Sequence, residues 1–437
     1  MTIRRIANLL LSIAVGGIGW SCAPAEKRDS RGPSTSADLA RRDFTPDVDQ
    51  VCRAVRASYA YWHQMTSDWA AACEDARTQA GLAQDMDELM TVLETLVAEL
   101  ADDHVHLTVN TPSSPRLVPG QLALWPEVRD GRAWLTAVRA DSWAERAGIS
   151  AGAELIAIDG RSVPQAIAAY RPRFQTRPDP RADQWALRRA VAGTHNHAPQ
   201  LEIVQDGGII RTSRPREVGT DARRGERLTV GSLGDTVGYI ALHDSLDALE
   251  TVSAFDTALA EHPTWRALVL DLRATAGGGN TTVARGVLSR FVTREVAYQR
   301  HESPAERRAH DVERAWLELV APRPPIFTGR LVVLVGRWTG SMGEGLAIGL
   351  QGMGRAQLVG TRMAGLRGAV DEVELPVSGW ALNLPTEALF RIDGRPRHEV
   401  EPDVLVDLAR ASGEDPVLER GVALLGAPSP AAPASRE

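Results

Sequence analysis

The sequence predicts an α/β fold: a helical N-terminal region, a β-rich middle and a C-terminal domain built on a largely parallel sheet. Three observations carry this. From about residue 226 onward, strand-like runs alternate with helical ones: Val237–Leu242, Trp265–Leu270, Val283–Phe291 (helical), Leu331–Val335 and Met342–Met353 (helical). Leu331-Val332-Val333-Leu334-Val335 is apolar throughout, as expected of a strand buried on both faces. Between Val51 and Leu107, Leu89, Val92, Leu93, Leu96 and Val97 recur at helical spacing, with no Gly or Pro after Gly81 to break the run.

A chain of 437 residues exceeds the roughly 250–300 at which single cores stop growing, which implies two or three domains. Arg4 and Arg5, the apolar stretch Ile6–Ile18 and the small residues around Ser21 and Cys22 have the layout of a secretory signal over residues 1–22, too short for a comfortable membrane span. Cys22 is a candidate lipid anchor, although Gly19 and Trp20 depart from the Leu-small-small-Cys pattern of such sites; twin-arginine export through Arg4-Arg5 is a weaker alternative. The expected location is periplasmic or membrane-anchored. Residues 23–41 read as a linker, 42–113 as the helical region, 114–205 as the β-rich domain, 206–410 as the α/β domain, and 411–437 as a helix with a Pro/Ala-rich tail. Cys52 and Cys73 form either a disulfide or two buried thiols, and with no Cys/His cluster beside them they give no metal signature. A net charge of −7 without a long basic run argues against nucleic acid as a partner.

Two segments carry candidate chemistry. Ser341, in Thr339-Gly340-Ser341-Met342-Gly343-Glu344, sits where the buried strand passes into a helix. It is either an N-cap with Glu344 as its capping-box partner or a nucleophile whose neighbouring helix amides hold an oxyanion. Asp271-Leu272-Arg273-Ala274-Thr275-Ala276-Gly277-Gly278-Gly279-Asn280 follows a second buried strand, and its three glycines leave backbone amides free to approach a ligand. Neither phosphate-loop nor dinucleotide spacing is met.

The run Val138–Gly160, with Ser142-Trp143-Ala144, Ala147-Gly148-Ile149 and Ile158-Asp159-Gly160, resembles the PDZ pattern, departing from it at Ala153-Glu154 where Gly-Asp is usual. Such domains take extended peptides by adding a strand to a sheet edge. Together with Arg355–Gly360, the two chemical segments resemble the tail-specific, or C-terminal-processing, serine peptidases, a family that includes the tricorn core. The resemblance spans roughly residues 100–408 and implies a ClpP/crotonase-like ββα catalytic domain. It also implies Ser341 as nucleophile, the amides of Gly278 and Met342 as oxyanion hole, protein or peptide substrates in the cell envelope, and no metal or organic cofactor.

One departure bears on mechanism. Ser–Lys members carry their base about two dozen residues after the serine, where this chain has Met363-Ala364-Gly365-Leu366-Arg367-Gly368. Leu366 occupies the lysine position, and the Arg367 guanidinium stays protonated and accepts no proton. The tricorn-like branch instead uses a histidine in an Asp-x-His segment, matched by Asp102-Asp103-His104, which makes His104 the expected base. On the residues alone, His104 and His106 are equally a solvated pair or alternate strand residues. For the carboxylate orienting the histidine the resemblance points to Glu399, with Glu387, Glu401 and Glu344 as alternatives. Two rivals stay open: an inactive PDZ-bearing scaffold binding envelope proteins, and an acyl-CoA enzyme of the crotonase type, an analogy of fold only.

Overall fold

A computed structural model describes residues 43–215, 226–244 and 246–426. The predicted leader with Cys22, the linker 23–41 and the tail beyond residue 426 lie outside the described residues. Three helices open the fold, α1 (Thr45–Ser58), α2 (Trp69–Leu82) and α3 (Met86–Ala98). Asp68 and Asp85 act as N-caps, accepting from the amides of Ala71 (3.1 Å) and Glu88 (2.9 Å), and the second of them starts a new helix within the stretch after Gly81 that the sequence shows without a Gly or Pro. Cys52 of α1 and Cys73 of α2 form a disulfide with their Cα atoms 6.1 Å apart. Leu89, Leu93 and Leu96 of α3 are buried with Val51 and Val55 of α1, each fully buried side chain stabilising the fold by roughly 1.5–3 kcal/mol.

After the short β1 (His106–Leu107), the β-rich segment comprises β2 (Leu124–Arg129), β3 (Arg132–Val138), α4 (Trp143–Arg146), β4 (Glu154–Ile158), β5 (Arg161–Ser162), α5 (Val163–Tyr170), α6 (Pro180–Ala192), β6 (Leu201–Gln205) and β7 (Gly208–Thr212). Its antiparallel sheet has the order β2-β3-β4-β6-β7, with β5 on β4. Three Asp-Gly pairs, Asp130-Gly131, Asp159-Gly160 and Asp206-Gly207, have positive φ at both residues and close its hairpins, the backbone that two-residue hairpin turns require. The last hairpin carries this sheet to Thr212, past the boundary read at residue 205.

The C-terminal part runs through β8 (Leu228–Ser232), β9 (Val237–Leu242), α7 (Glu250–Glu261), β10 (Ala267–Asp271), α8 (Thr281–Leu288), β11 (Val296–Glu302), α9 (Pro304–His310), β12 (Ala315–Val320) and β13 (Arg330–Val335). It continues with α10 (Met342–Gly352), β14 (Gln357–Gly360), β15 (Ala369–Glu374), β16 (Ala381–Phe390), β17 (Val404–Leu405) and α11 (Pro416–Gly426). The main sheet has the order β17-β14-β13-β10-β9-β8 and is parallel except at the β8–β9 edge. Along β13, Leu331, Val333 and Val335 face a core with Phe255, Val287 and Leu346, while Val332 and Leu334 face Val417 and Leu425 of α11. Both faces are covered, which is why the run is apolar throughout. A second sheet, β1-β16-β11-β12 with β15 on β16, brings Leu382 and Leu384 against the N-terminal helices.

Candidate active site

The turns after β10 and β13 meet at the carboxyl ends of two neighbouring parallel strands, the end of an open α/β sheet where ligands bind. Thr339 Oγ1 donates to the Leu272 carbonyl (2.8 Å) and the Gly340 amide donates to Thr275 O (2.9 Å). A Cβ on Gly340 would stand 2.7 Å from Ala276 O, so only glycine permits this approach. The same turns are anchored to the β-rich segment. Trp338 Nε1 donates to Leu122 O (2.7 Å), and Arg337 pairs with Glu127.

Ser341 stands half-buried at the head of α10 with φ 48° and ψ −115°. Ser341 is the N-cap of α10 with Glu344 as its capping-box partner, but an ordinary N-cap serine is extended with negative φ, whereas these angles are those of the first central residue of a type II′ turn, usually glycine. The Gly343 amide closes that turn on Gly340 O (2.9 Å). Glu344, fully buried, holds the conformation, its Oε2 accepting from the Ser341 amide (3.0 Å). Burial pushes the Glu344 carboxyl up to about 7. The Met342 amide, next to the serine in the first helical turn, has no hydrogen-bond partner among the described residues.

Across from it, the glycine turn is clamped at both ends. Asp244 Oδ1 accepts from the Gly277 amide (2.5 Å), and Leu246 O accepts from the Asn280 amide (3.0 Å). Gly278, between them, has open space on its Cβ side, and its amide has no partner among the described residues.

Residues 365–368 tie the serine turn to His104. Glu344 Oε1 accepts from the Gly365 amide (2.8 Å), and Leu366 Cδ1 lies 3.2 Å from the place of a Cβ on Gly340. The Arg367 carbonyl oxygen lies 2.7 Å from His104 Nδ1. A carbonyl only accepts, so Nδ1 carries the proton and Nε2 is the acceptor of the neutral ring. The buried Arg397 donates from Nη2 to Leu366 O (3.1 Å) and Gly368 O (2.8 Å), bracketing the carbonyl that His104 uses. Burial, and secondarily the Arg397 charge, lower the His104 pKa to about 4. Asp102 shapes the His104 turn, accepting from the His104 amide (3.0 Å) and from Tyr59 Oη (2.7 Å).

Ser341, Gly278, Met342 and His104 thus belong to one network of turns, whereas Glu399 does not join it. The Glu399 side chain is 64% exposed, its contact is with His398 Nε2 at 3.7 Å, and a backbone carbonyl occupies the position behind His104 that the resemblance reserves for a carboxylate. Among the alternatives, Glu387 Oε2 binds His301 Nδ1 (2.7 Å), Glu401 pairs with Arg362, and Glu344 serves the serine turn. His106 lies on β1 with Nε2 3.0 Å from Asn383 Nδ2. Asp244 and Arg397 were not singled out in the sequence. Nothing local marks Asp244, 33 residues from the amide it holds, and Arg397 sits in a polar run that reads as surface. Among the described residues no group of three or more His, Cys, Asp or Glu is arranged to hold a metal ion.

Residues 236–406 match the family model of Peptidase family S41. Solved structures with a similar fold include a photosystem II D1 C-terminal processing protease (17% identity, covering 88% of this chain and 98% of that one, TM-score 0.53). Mature CPAF is similar as well (16%, 89% and 96%, TM-score 0.57), as is a lipoprotein from Streptococcus agalactiae (11%, 88% and 96%, TM-score 0.50). No curated protein matches the chain.

Proposed function

Through residues 236–406 the chain belongs to peptidase family S41 and is a serine-type peptidase, and on that premise we propose that Ser341 is its nucleophile and His104 its base. The observation that carries this reading is the backbone of Ser341, a non-glycine residue at φ 48° beside two amides without a partner among the described residues, those of Gly278 and Met342. Positive-φ backbone of this kind costs on the order of 1–3 kcal/mol and persists where function requires it. His104 Nε2 takes the Ser341 proton as Oγ attacks the peptide carbonyl. The two amides hold the oxyanion, and the imidazolium returns the proton to the leaving amine; water deacylates the enzyme by the same route.

Arg367 O, rather than Glu399, orients the histidine in this scheme. A carbonyl fixes the tautomer without supplying a full negative charge, so the imidazolium is less stabilised than in an acid-backed triad. Leu366 packed against Gly340 supports a His base by leaving no amine at the lysine position. The proposed setting is extracytoplasmic: the leader-like residues 1–22 and the Cys52–Cys73 disulfide both support export, with Cys22 the proposed anchor. The PDZ-like segment would present extended chain segments of envelope proteins.

A fluorophosphonate probe tests the chemistry. It should label the purified wild type, lose its target in Ser341→Ala and react at least about 100-fold more slowly with His104→Ala. Folded wild type that takes no label would overturn the assignment of Ser341 and His104 and favour the scaffold reading.

A further inference from the structure

Asp244 and Leu246, just after β9, grip the glycine turn at two points. Asp244 Oδ1 accepts from the Gly277 amide at 2.5 Å, and a Cβ on Gly277 would collide with the same carboxylate. Two residues on, Leu246 O accepts from the Asn280 amide at 3.0 Å, and a Cβ on Gly279 would stand 2.5 Å from Leu246 Cβ. Gly278 lies between the grips, its amide without a partner among the described residues and its Cβ side open.

Three consecutive glycines are the most pliable backbone a chain can offer, and a turn left to itself would sample many orientations of its central amide. An oxyanion donor acts well only when it is aimed before the charge develops. We propose that Asp244 is a positioning residue for catalysis: its carboxylate fixes the Gly277 peptide and so aims the Gly278 amide at the oxyanion formed on attack by Ser341. This rests on the assignment of Ser341 and Gly278 above. Asp244 touches neither substrate nor nucleophile in this role and acts through the turn alone. The fixing interaction is a hydrogen bond to one oxygen, so an amide oxygen at that place serves as well.

Asp244→Ala and Asp244→Asn, made in the full chain, separate this from other roles through kcat, KM and fluorophosphonate labelling on one peptide substrate, with thermal melting alongside. Loss of one aimed oxyanion donor lowers kcat by about 10²–10³-fold. Asp244→Ala is expected to fall in that range with KM within about threefold and its melting transition retained, since uniform binding is untouched. Asp244→Asn is expected to recover kcat to within about tenfold of wild type by the same hydrogen bond. If Asp244→Ala does not fold, Asp244→Leu fills the space without an acceptor, and the same comparison with Asn applies. A rise in KM at unchanged kcat, or an Asn variant as impaired as Ala, would assign the carboxylate to substrate binding or to charge and overturn the inference. Wild-type rates in Asp244→Ala overturn it as well, leaving the Ser341 assignment standing. Failure of the wild type to label would instead strike at that assignment.

Discussion

His104 Nδ1 lies 2.7 Å from the carbonyl oxygen of Arg367, and no carboxylate among the described residues contacts that nitrogen. The proposed base is therefore oriented by a peptide group, and the peptide group is held by Arg397 through the carbonyls on either side of it. Orientation and charge come from separate residues: Arg367 O fixes the tautomer, while burial and Arg397 disfavour the imidazolium.

A low-lying acid limb follows. With the His104 pKa lowered to about 4, the ring is neutral and competent down to acid pH, and kcat/KM should begin to fall only as pH approaches about 4. An unperturbed histidine would place that fall near 6.5. In Arg397→Met one of the causes lowering the pKa is gone, so the limb moves to higher pH and kcat drops as the 365–368 segment loosens. A pH profile of kcat/KM on a peptide substrate checks both; a wild-type limb at 6.5 or above would show that burial and Arg397 do not depress the His104 ring.

The strands at 237–242, 267–271 and 330–335 and the helix from Met342 were legible because strands buried on both faces must be apolar, and because helical periodicity starts directly after Ser341. Helices α5 and α6 were not anticipated. Pro164 and Pro180 look like breakers in sequence, but stand in the first turn, where the missing N–H costs nothing. Ser341 and Gly278 were legible as turn chemistry, but the partner of His104 was not: a backbone carbonyl has no residue signature, whereas the resemblance points to a carboxylate and so to the exposed Glu399. Asp244 was hidden for a related reason, since a contact across 33 residues depends on β9 and β10 lying side by side.

Glu344 should make stability depend on pH in the direction opposite to a salt-bridged carboxylate. Its folded-state pKa of about 7 stands above the ordinary 4.5, so the folded chain binds this proton more tightly than the unfolded one. The stabilisation is complete below about 4.5 and is lost as pH rises through about 7, on the order of 3 kcal/mol in all. Glu344→Gln does not titrate. It loses one acceptor oxygen at every pH, but its stability relative to wild type should improve between pH 5 and pH 8. Denaturant unfolding at the two pH values gives the difference directly, and a relative stability unchanged between them would mean that Glu344 is ionised throughout.

Ser341 itself should be a site where stability and activity pull apart. At φ 48° and ψ −115° its Cβ is held where glycine is the residue without penalty, and Glu344 pins the amide there. Ser341→Ala removes the hydroxyl and keeps the strained backbone, whereas Ser341→Gly removes both. Relief of on the order of 1–3 kcal/mol, less the 0.5–1 kcal/mol or so that glycine costs through the unfolded chain, leaves the glycine variant about 1 kcal/mol more stable than the alanine variant. Both should be inert toward fluorophosphonate and peptide, so the comparison is free of any catalytic contribution. Thermal melting of the pair side by side decides it: a glycine variant that melts at or below the alanine variant would show that the turn carries no strain, and that Ser341 is an ordinary cap.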